Sequence, residues 1–464
     1  MTPFLPRDFP RSLYFVGIGG TGMSGLALVA HGLGCRVSGS DIAFNQAIFR
    51  LRQRGIEVFV GHRREQIGQV DAMVISSAIP SDNEELREAR SQGIPIIHRG
   101  ELLSLLLNPR QGIAIAGTHG KTTTTSMISL LLEIAGLKPT VLIGGELEDI
   151  GGNAKVGEGE FFVAEADESD GSFLNLAPFC AVVTNIEDDH LEFYGGMDQE
   201  KAAFAKFLNQ IKEGGFAVVC GDHPNVINVV QNTKVKSVFS YGIQNGQSDL
   251  RGMILAENGN NQVFQVEWKG KKLGNFYLNV PGKHNVLNAL ACLAVGLGLD
   301  IPLPLITDAL ATFRGVKRRF ELIGTVKGAQ VIDDYAHHPT EMKAVLETAF
   351  NQTAGKIVVV FQPHRFTRTS RLYREMGRVL TMADYVFLLP VYPAGEAEIA
   401  GVSSELIYQE LKETYSHPVD LCLNFQEVAS RCWEILSPGD IVITMGAGDV
   451  WKVGALLCQQ HGKS

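Results

Sequence analysis

Short apolar runs alternate with stretches of helical spacing along most of the chain. Residues 13–17 form one such run, and residues 23–31 carry helical spacing that Gly32 closes. Further runs fall at 35–38, 72–76 and 95–97. Runs this short, separated by helices and glycine turns, predict a parallel sheet with helices on its faces. A second alternating unit opens at residue 112, with later runs at 161–165, 181–185 and 216–220. Residues 235–278 look different. They are rich in Gly and Asn, with alternating pieces such as Val263-Phe264-Gln265-Val266, and predict hairpins inserted late in that unit. Pro281-Gly282-Lys283-His284-Asn285 then opens a long Ala/Leu helix. A third unit begins near residue 314, with runs at 331–332, 357–361, 385–389 and 440–444. The pattern predicts an α/β protein with boundaries near 108 and 314, and it shows no fixed-period repeat.

Length and composition narrow the class. A chain of 464 residues exceeds one ordinary core. Hydrophobic and charged contents of 45% and 20% describe a globular protein. A net charge of −9 argues against a general binder of nucleic acid or membrane surfaces. No apolar run reaches the ~18 residues that a membrane helix needs. The first residues lack a basic region, an apolar run and a cleavage site, so no signal peptide is expected. Seven cysteines without a C-x-x-C pair fit a reducing, cytoplasmic setting.

The candidate chemistry sits where apolar runs end. Ile115-Ala116-Gly117-Thr118-His119-Gly120-Lys121-Thr122 reads as strand, glycine turn and helix start. Such a turn aims backbone N–H groups and the helix dipole at one anion. Lys121 adds a charge for phosphate, and Thr122 a hydroxyl for magnesium. Ile115 stands where a standard phosphate loop has glycine, so the loop is a shortened variant. Gly17-Ile18-Gly19-Gly20-Thr21-Gly22 also follows a strand and opens a helix, in the manner of dinucleotide-binding turns. Asp41 follows the next strand, where an acid would meet a ribose or base. A redox cofactor is the rival reading, weakened by the second phosphate loop.

Other polar clusters share this placement. Phe161 to Glu168 is an apolar run ending in acids, and a carboxylate there would hold Mg²⁺. Strand alternation predicts Glu165 and Asp167 on one face and Glu168 on the other. Thr184 to His190 is another run ending in polar groups, with His190 a candidate ligand. Asn285 and Asn288 share a helix face. Lys317-Arg318-Arg319 lies at the second boundary, where a basic residue could swing towards a site. Asp334, Tyr335, His337 and His338 follow one run of the third unit, and His364 and Arg365 follow the next. Clusters of His and Arg at strand ends suit an anion carrying a carboxylate.

Taken in order, these motifs resemble the Mur ligases. Gly-Thr-His-Gly-Lys-Thr-Thr-Thr, Glu-Ala-Asp-Glu-Ser-Asp, Thr-Asn-Ile-Glu, Gly-Lys-His-Asn, Arg-Arg-Phe-Glu, Asp-Asp-Tyr-Ala-His-His-Pro-Thr-Glu and Gln-Pro-His-Arg-Phe-Thr-Arg-Thr all occur. The resemblance runs from residue 17 to Asp449 and includes the short phosphate loop. It implies three domains: 1–108, Rossmann-like, for a UDP-sugar; 109–314, ATPase-like, for ATP; and 315–464, Rossmann-like, for an amino acid. It implies ATP and Mg²⁺, with a carboxylate activated as an acyl phosphate and then attacked by an amine. A free carboxylate repels nucleophiles and needs a leaving group first.

By match to the family, Gly117, Thr118, His119, Gly120, Lys121, Thr122 and Thr123 would hold ATP with Asn285, Asn288, Arg319 and Asp334. Thr122, Glu165 and His190 would ligate metal. Gly19, Gly20, Thr21, Gly22, Met23, Ser24, Asp41, Ser76 and Ser77 would hold the UDP-sugar. His337, His338, His364 and Arg365 would face the acyl phosphate and amino acid. Lys121, Glu165, His190, Arg319 and His338 are the expected catalytic set. The Tyr335-x-His337-His338 cluster and Asp188-Asp189-His190-Leu191 favour a branch joining L-alanine to UDP-N-acetylmuramate over one that attaches a tripeptide. A UDP-sugar sensor without catalysis is the rival from another class, and intact Lys121, Thr122, Glu165 and His190 argue against it. A monomer or homodimer is expected, without nucleic-acid or membrane partners.

Overall fold

The computed structural model describes residues 5–6, 8–147, 151–189, 191–414 and 416–461. The chain divides into two compact units. One runs to Leu255 and adds Val263–Leu278 and Asn285–Phe313; the other comprises Ala256–Gln262, Asn279–His284 and the chain from Arg314 onward.

The first unit contains a five-stranded sheet, ordered Glu57–Val60, Arg36–Asp41, Ser12–Val16, Ala72–Ile75, Ile96–His98. Every pairing is parallel. The order reverses direction beside Ser12–Val16, and such a reversal opens a crevice at the carboxyl ends of the strands. The turn after Val16 faces that crevice. Glu57–Val60 escapes the sequence pattern because it is a short edge strand with a mixed exposed and buried pattern.

The second sheet has ten strands. Their order is Lys271–Leu278, Asn261–Trp268, Leu250–Asn258, Val238–Gly242, Phe216–Cys220, Cys180–Val183, Gln111–Ala116, Phe161–Glu165, Thr140–Leu147, Gly152–Lys155. Its central strands are buried on both faces, with Ile113 to Ala116 and Ala181 to Val183 at 0% exposure. That is why they read as unbroken apolar runs. The expected hairpins are present, with Leu250–Asn258, Asn261–Trp268 and Lys271–Leu278 as consecutive neighbours, and they extend this sheet. Val238–Gly242 pairs in parallel with Phe216–Cys220 and with Leu250–Asn258. Asn261–Trp268 alternates because burial falls on every second residue over most of its length.

The two sheets share one core. Leu26 and Val29 from the helix Thr21–Gly32 pack in the same cluster as Leu142, Phe162 and Ala164 of the second sheet. Gly25 allows this approach, since a Cβ there would stand 2.4 Å from Leu142 Cδ1. Asn153 Nδ2 donates to Thr21 O at 2.9 Å across the same contact. The Gly17–Gly22 turn and the phosphate loop are therefore mounted on one packed body.

The second unit holds a six-stranded sheet, ordered Glu321–Val326, Ala329–Asp334, Ile441–Met445, Ile357–Phe361, Tyr385–Leu388, Val419–Leu421. The first pair is antiparallel and the rest are parallel. The two edge strands were not legible: Glu321–Val326 is half-exposed, and Val419–Leu421 spans three residues. All seven cysteines are free and six are buried. Among the described residues, no helix is long and apolar enough to cross a membrane.

Candidate active site

The phosphate loop is shaped by its neighbour strand. Gln111–Ala116 runs into Gly117 at φ +128°, and Gly120 at φ +82° caps the helix Lys121–Ile134. Cys180–Val183 lies alongside, with Val183 opposite Ala116, so Thr184 and Asn185 emerge beside the loop. Thr184 Oγ1 donates to His119 O at 2.6 Å, and Asn185 Nδ2 donates to the same oxygen at 3.0 Å. His119 N donates to Asn185 Oδ1 at 2.8 Å, and Glu187 N to Thr118 Oγ1 at 2.8 Å. These bonds tie the loop to the end of the neighbouring strand and fix its shape. Thr184 and Asn185 were read only as a polar strand end. The signal that could have found them is their place at the end of the strand adjoining the loop.

Asn285 and Asn288 do share a face. Asn288 Nδ2 donates to Asn285 Oδ1 at 3.2 Å, and Asn288 Oδ1 accepts from Thr124 Oγ1 at 3.1 Å. A Cβ on Gly120 would meet Asn288 Oδ1 at 2.7 Å, so this pair packs directly on the loop. Thr122 and Thr123 are buried in the first turn of the helix. His119 Nε2 lies 3.4 Å from Glu187 Oε2, and His223 Nε2 lies 3.7 Å from Glu187 Oε1. His190 lies outside the described residues.

Lys121 makes three contacts through Nζ: Gly117 O at 2.6 Å, Thr118 O at 3.3 Å and Glu168 Oε1 at 2.6 Å. Burial opposes its charge, yet Glu168 and Asp167 hold the ammonium above its ordinary range. Burial pushes the fully enclosed Glu168 carboxyl up to about 7, against the pull of Lys121. The expected alternation of acids ends with the strand at Glu165. Beyond it the backbone turns. Glu168 is thereby carried under Lys121, while Asp167 Oδ2 accepts from Arg99 at 2.6 Å. Burial disfavours the Asp167 carboxylate, but Arg99 and Lys121 hold it well below the usual range. Glu165 Oε1 accepts from Gly144 N at 2.7 Å.

In the first sheet, Gly17 N and Ile18 N donate to Ser40 O at 2.8 and 2.9 Å. Gly19 N donates to Asp41 Oδ2 at 2.8 Å, so Asp41 braces the turn. Gly20 precedes the helix as its extended cap. Thr21 is exposed and Gly22 half-buried. Met23 belongs to the core, and Ser24 Oγ donates to Thr21 O at 3.1 Å. Ser76 is half-buried and Ser77 exposed, just past Ala72–Ile75. A cavity of about 250 Å³ brings the two loops together, with Gly22, Arg99, Lys121, Gly144, Glu165 and Asp167 on its walls. Arg99 was not singled out from sequence, although it follows a strand directly.

The second unit has its own cluster. Tyr335 and His337 meet edge to face, His337 and His364 are tilted, and His364 stacks on Tyr392 at 10°, each pair 5.6 Å apart. The two motifs are thus brought together, and Tyr392 is an addition. Arg365 takes φ +70°, an unfavourable value for a side-chain-bearing residue, and its N–H donates to Tyr392 O at 2.8 Å. His338 is buried and caps the helix Pro339–Gln352. Arg318 is not a solvated hinge charge: Nε donates to Asp333 Oδ2 at 2.9 Å and Nη2 to Gly446 O at 2.7 Å. Arg319 lies 5.2 Å over the Tyr335 ring.

Asp334 is buried and accepts from Phe320 N and Ala336 N, both at 2.7 Å. Burial pushes its carboxyl from 3.8 up to about 6, against the pull of Arg319. A carboxyl with a raised folded value holds its proton more tightly when folded. Its contribution to stability is full below about pH 4 and is lost as pH rises through 6, a swing of about 3 kcal/mol. Asp334→Asn removes that titration. The stability gap between the two proteins, measured by urea unfolding, should therefore narrow between about pH 4 and about pH 7 in favour of the variant. A gap independent of pH would mean that Asp334 titrates normally.

Three family models match the chain: "Mur ligase family, catalytic domain" over residues 12–111, "Mur ligase middle domain" over 115–296, and "Mur ligase, glutamate ligase domain" over 318–448. A UDP-N-acetylmuramate–L-alanine ligase of Dictyoglomus turgidum is 47% identical over 457 residues, covering 98% of this chain and 97% of that protein. Among solved structures, a UDP-N-acetylmuramate–alanine ligase from Thermotoga maritima is similar at TM-score 0.83 and 31% identity, covering 97% of this chain and 98% of that one. A murein peptide ligase from Psychrobacter arcticus shares the fold at TM-score 0.73 and 24% identity, covering 98% of this chain and 99% of that one.

Proposed function

Since the chain belongs to the Mur ligase family, we propose that it joins L-alanine to the lactoyl carboxylate of UDP-N-acetylmuramate, an ATP-consuming step of peptidoglycan precursor synthesis in the cytoplasm. The observation that carries this reading is the cavity where the first glycine turn and the phosphate loop face one another. A sugar nucleotide held by one and ATP held by the other would meet there. In this reading residues 1–108 hold the UDP-sugar, 109–314 hold ATP and 315–464 hold the amino acid.

The chemistry follows in two displacements. A carboxylate oxygen attacks the γ-phosphorus of ATP, and ADP leaves. The amine of alanine then attacks the acyl carbon, the amide forms, inorganic phosphate leaves and the amine loses a proton. The loop from Gly117 to Thr123 would position the phosphates, with Lys121 balancing charge that moves onto ADP. Thr122 and Glu165 carry the hard oxygen donors that magnesium takes. Mg²⁺, when bound there, would neutralise phosphate charge. Asn285 and Asn288 would brace the loop, and Arg319 and Asp334 would contact the nucleotide. His337, His338, His364 and Arg365 would hold the amino-acid carboxylate among cationic and aromatic groups.

A coupled phosphate-release assay tests the reading. Release should need UDP-N-acetylmuramate, Mg·ATP and L-alanine together. Release with the tripeptide but not with alanine would transfer the chain to the recycling branch.

A further inference from the structure

The cavity between the two loops is acidic. Glu165 and Asp167 line it, and Glu168 and Asp170 lie close behind through their ion pairs with Lys121 and Arg99. A carboxylate awaiting phosphorylation must nevertheless enter it, so it needs a cation with N–H groups to give. Lys121 makes three contacts already, to Gly117 O, Thr118 O and Glu168, and an ammonium has three N–H groups. Arg99 differs. Its Nη2 donates to Asp167 Oδ2 at 2.6 Å and Asp170 Oδ2 at 2.8 Å, which uses both N–H groups on that nitrogen. A guanidinium carries five. Nε and Nη1 donate to no protein group among the described residues.

The placement of Arg99 is built rather than incidental. It is the first residue of the helix Arg99–Leu107, directly after the strand Ile96–His98. Gly100 lets that helix close on the second sheet's acidic loop, because a Cβ there would stand 2.2 Å from Ser172 Cβ. The two aspartates pin the guanidinium at Nη2. Nη1 turns towards the first loop, 3.4 Å from where a Cβ on Gly22 would be.

We propose that Arg99 binds the lactoyl carboxylate of the sugar nucleotide through the N–H groups of Nη1, holding it for the γ-phosphoryl group of ATP on the phosphate loop. The proposal rests on the reading above for the substrate but assigns a residue that the sequence motifs pass over. A guanidinium pinned at Nη2 by two carboxylates is pre-organised to give its Nη1 N–H groups to a third oxyanion.

Two ligands separate the carboxylate from the diphosphate. UDP-N-acetylmuramate carries the lactoyl group, and UDP-N-acetylglucosamine has the same diphosphate without it. Calorimetry on the full chain should show Arg99→Met weakening the first by about tenfold or more, roughly 1.4 kcal/mol, and the second by less than about twofold. Arg99→Lys, which keeps a charge beside Asp167 and Asp170, should fall between and carries the comparison if Arg99→Met fails to fold. Equal weakening of both ligands would overturn the proposal and put Arg99 on the diphosphate. No weakening of either would also overturn it. These readouts are independent of turnover. Failure of the broader reading would instead show as wild-type protein that releases no alanine-dependent phosphate.

Discussion

Lys121→Ala is expected to lower ligation by about 10²–10³-fold or more, while UDP-sugar affinity stays within about twofold of wild type. Phosphoryl transfer asks little covalent chemistry of a protein and much charge neutralisation. Lys121 is the cation at the mouth of the phosphate loop. The sugar-nucleotide turn lies on another sheet, braced by Ser40 and Asp41, and loses nothing directly. The substitution has a second effect. Glu168 is at 0% exposure and would lose the cation that balances it. Removing one partner of a buried pair costs about 3–5 kcal/mol. Lys121→Ala should therefore also lower the thermal midpoint by several degrees. Adding Glu168→Gln to that variant should restore much of the midpoint and none of the activity. Retained turnover in Lys121→Ala would remove the phosphate loop from the mechanism. An unchanged midpoint would show the pair to be energetically neutral.

Glu168 also marks the limit of what the sequence could tell. The central strands were legible because burial on both faces forces apolar runs, as in Ile357–Phe361. Edge strands such as Gly152–Lys155 have no such constraint, and their Gly-Asn-Ala-Lys sequence carries no apolar signal. Site motifs were legible because parallel sheets place chemistry at the carboxyl ends of strands. Pairing was not. Lys121 meets Glu168 across 47 residues, and Arg99 meets Asp167 across 68. A motif says which residue types gather, but only the fold says which nitrogen of a guanidinium remains open. Strand alternation put Glu165 and Asp167 together, and both line the cavity, but it could not pair Glu168 with Lys121, because the period of two ends with the strand at Glu165. Tyr392 belongs to neither histidine motif and joins them only because its backbone bridges His364.

Gly117→Ala should damage nucleotide binding more than any other glycine substitution in the loop. A side chain at φ +128° is strained by about 1–3 kcal/mol in any surroundings. Here the surroundings add to it, because the new Cβ would stand 2.2 Å from Thr184 Oγ1 and 2.9 Å from Asn185 O. Thr184 is not free to give way, since its hydroxyl holds His119 O at 2.6 Å. Asn185 is constrained as well, because its backbone oxygen accepts from Thr118 N at 3.2 Å. The expected result is a KM for ATP raised at least about tenfold, with an affinity for UDP-N-acetylmuramate close to wild type. Gly136→Ala supplies the comparison. Gly136 follows the same helix at φ +72°, and a Cβ there meets nothing within 4 Å. It should therefore lose about 1 kcal/mol of stability with no change in ATP affinity. The difference between the two variants isolates the contact with Thr184 and Asn185 from backbone strain. If both variants bind ATP equally well, those two residues do not set the shape of the phosphate loop.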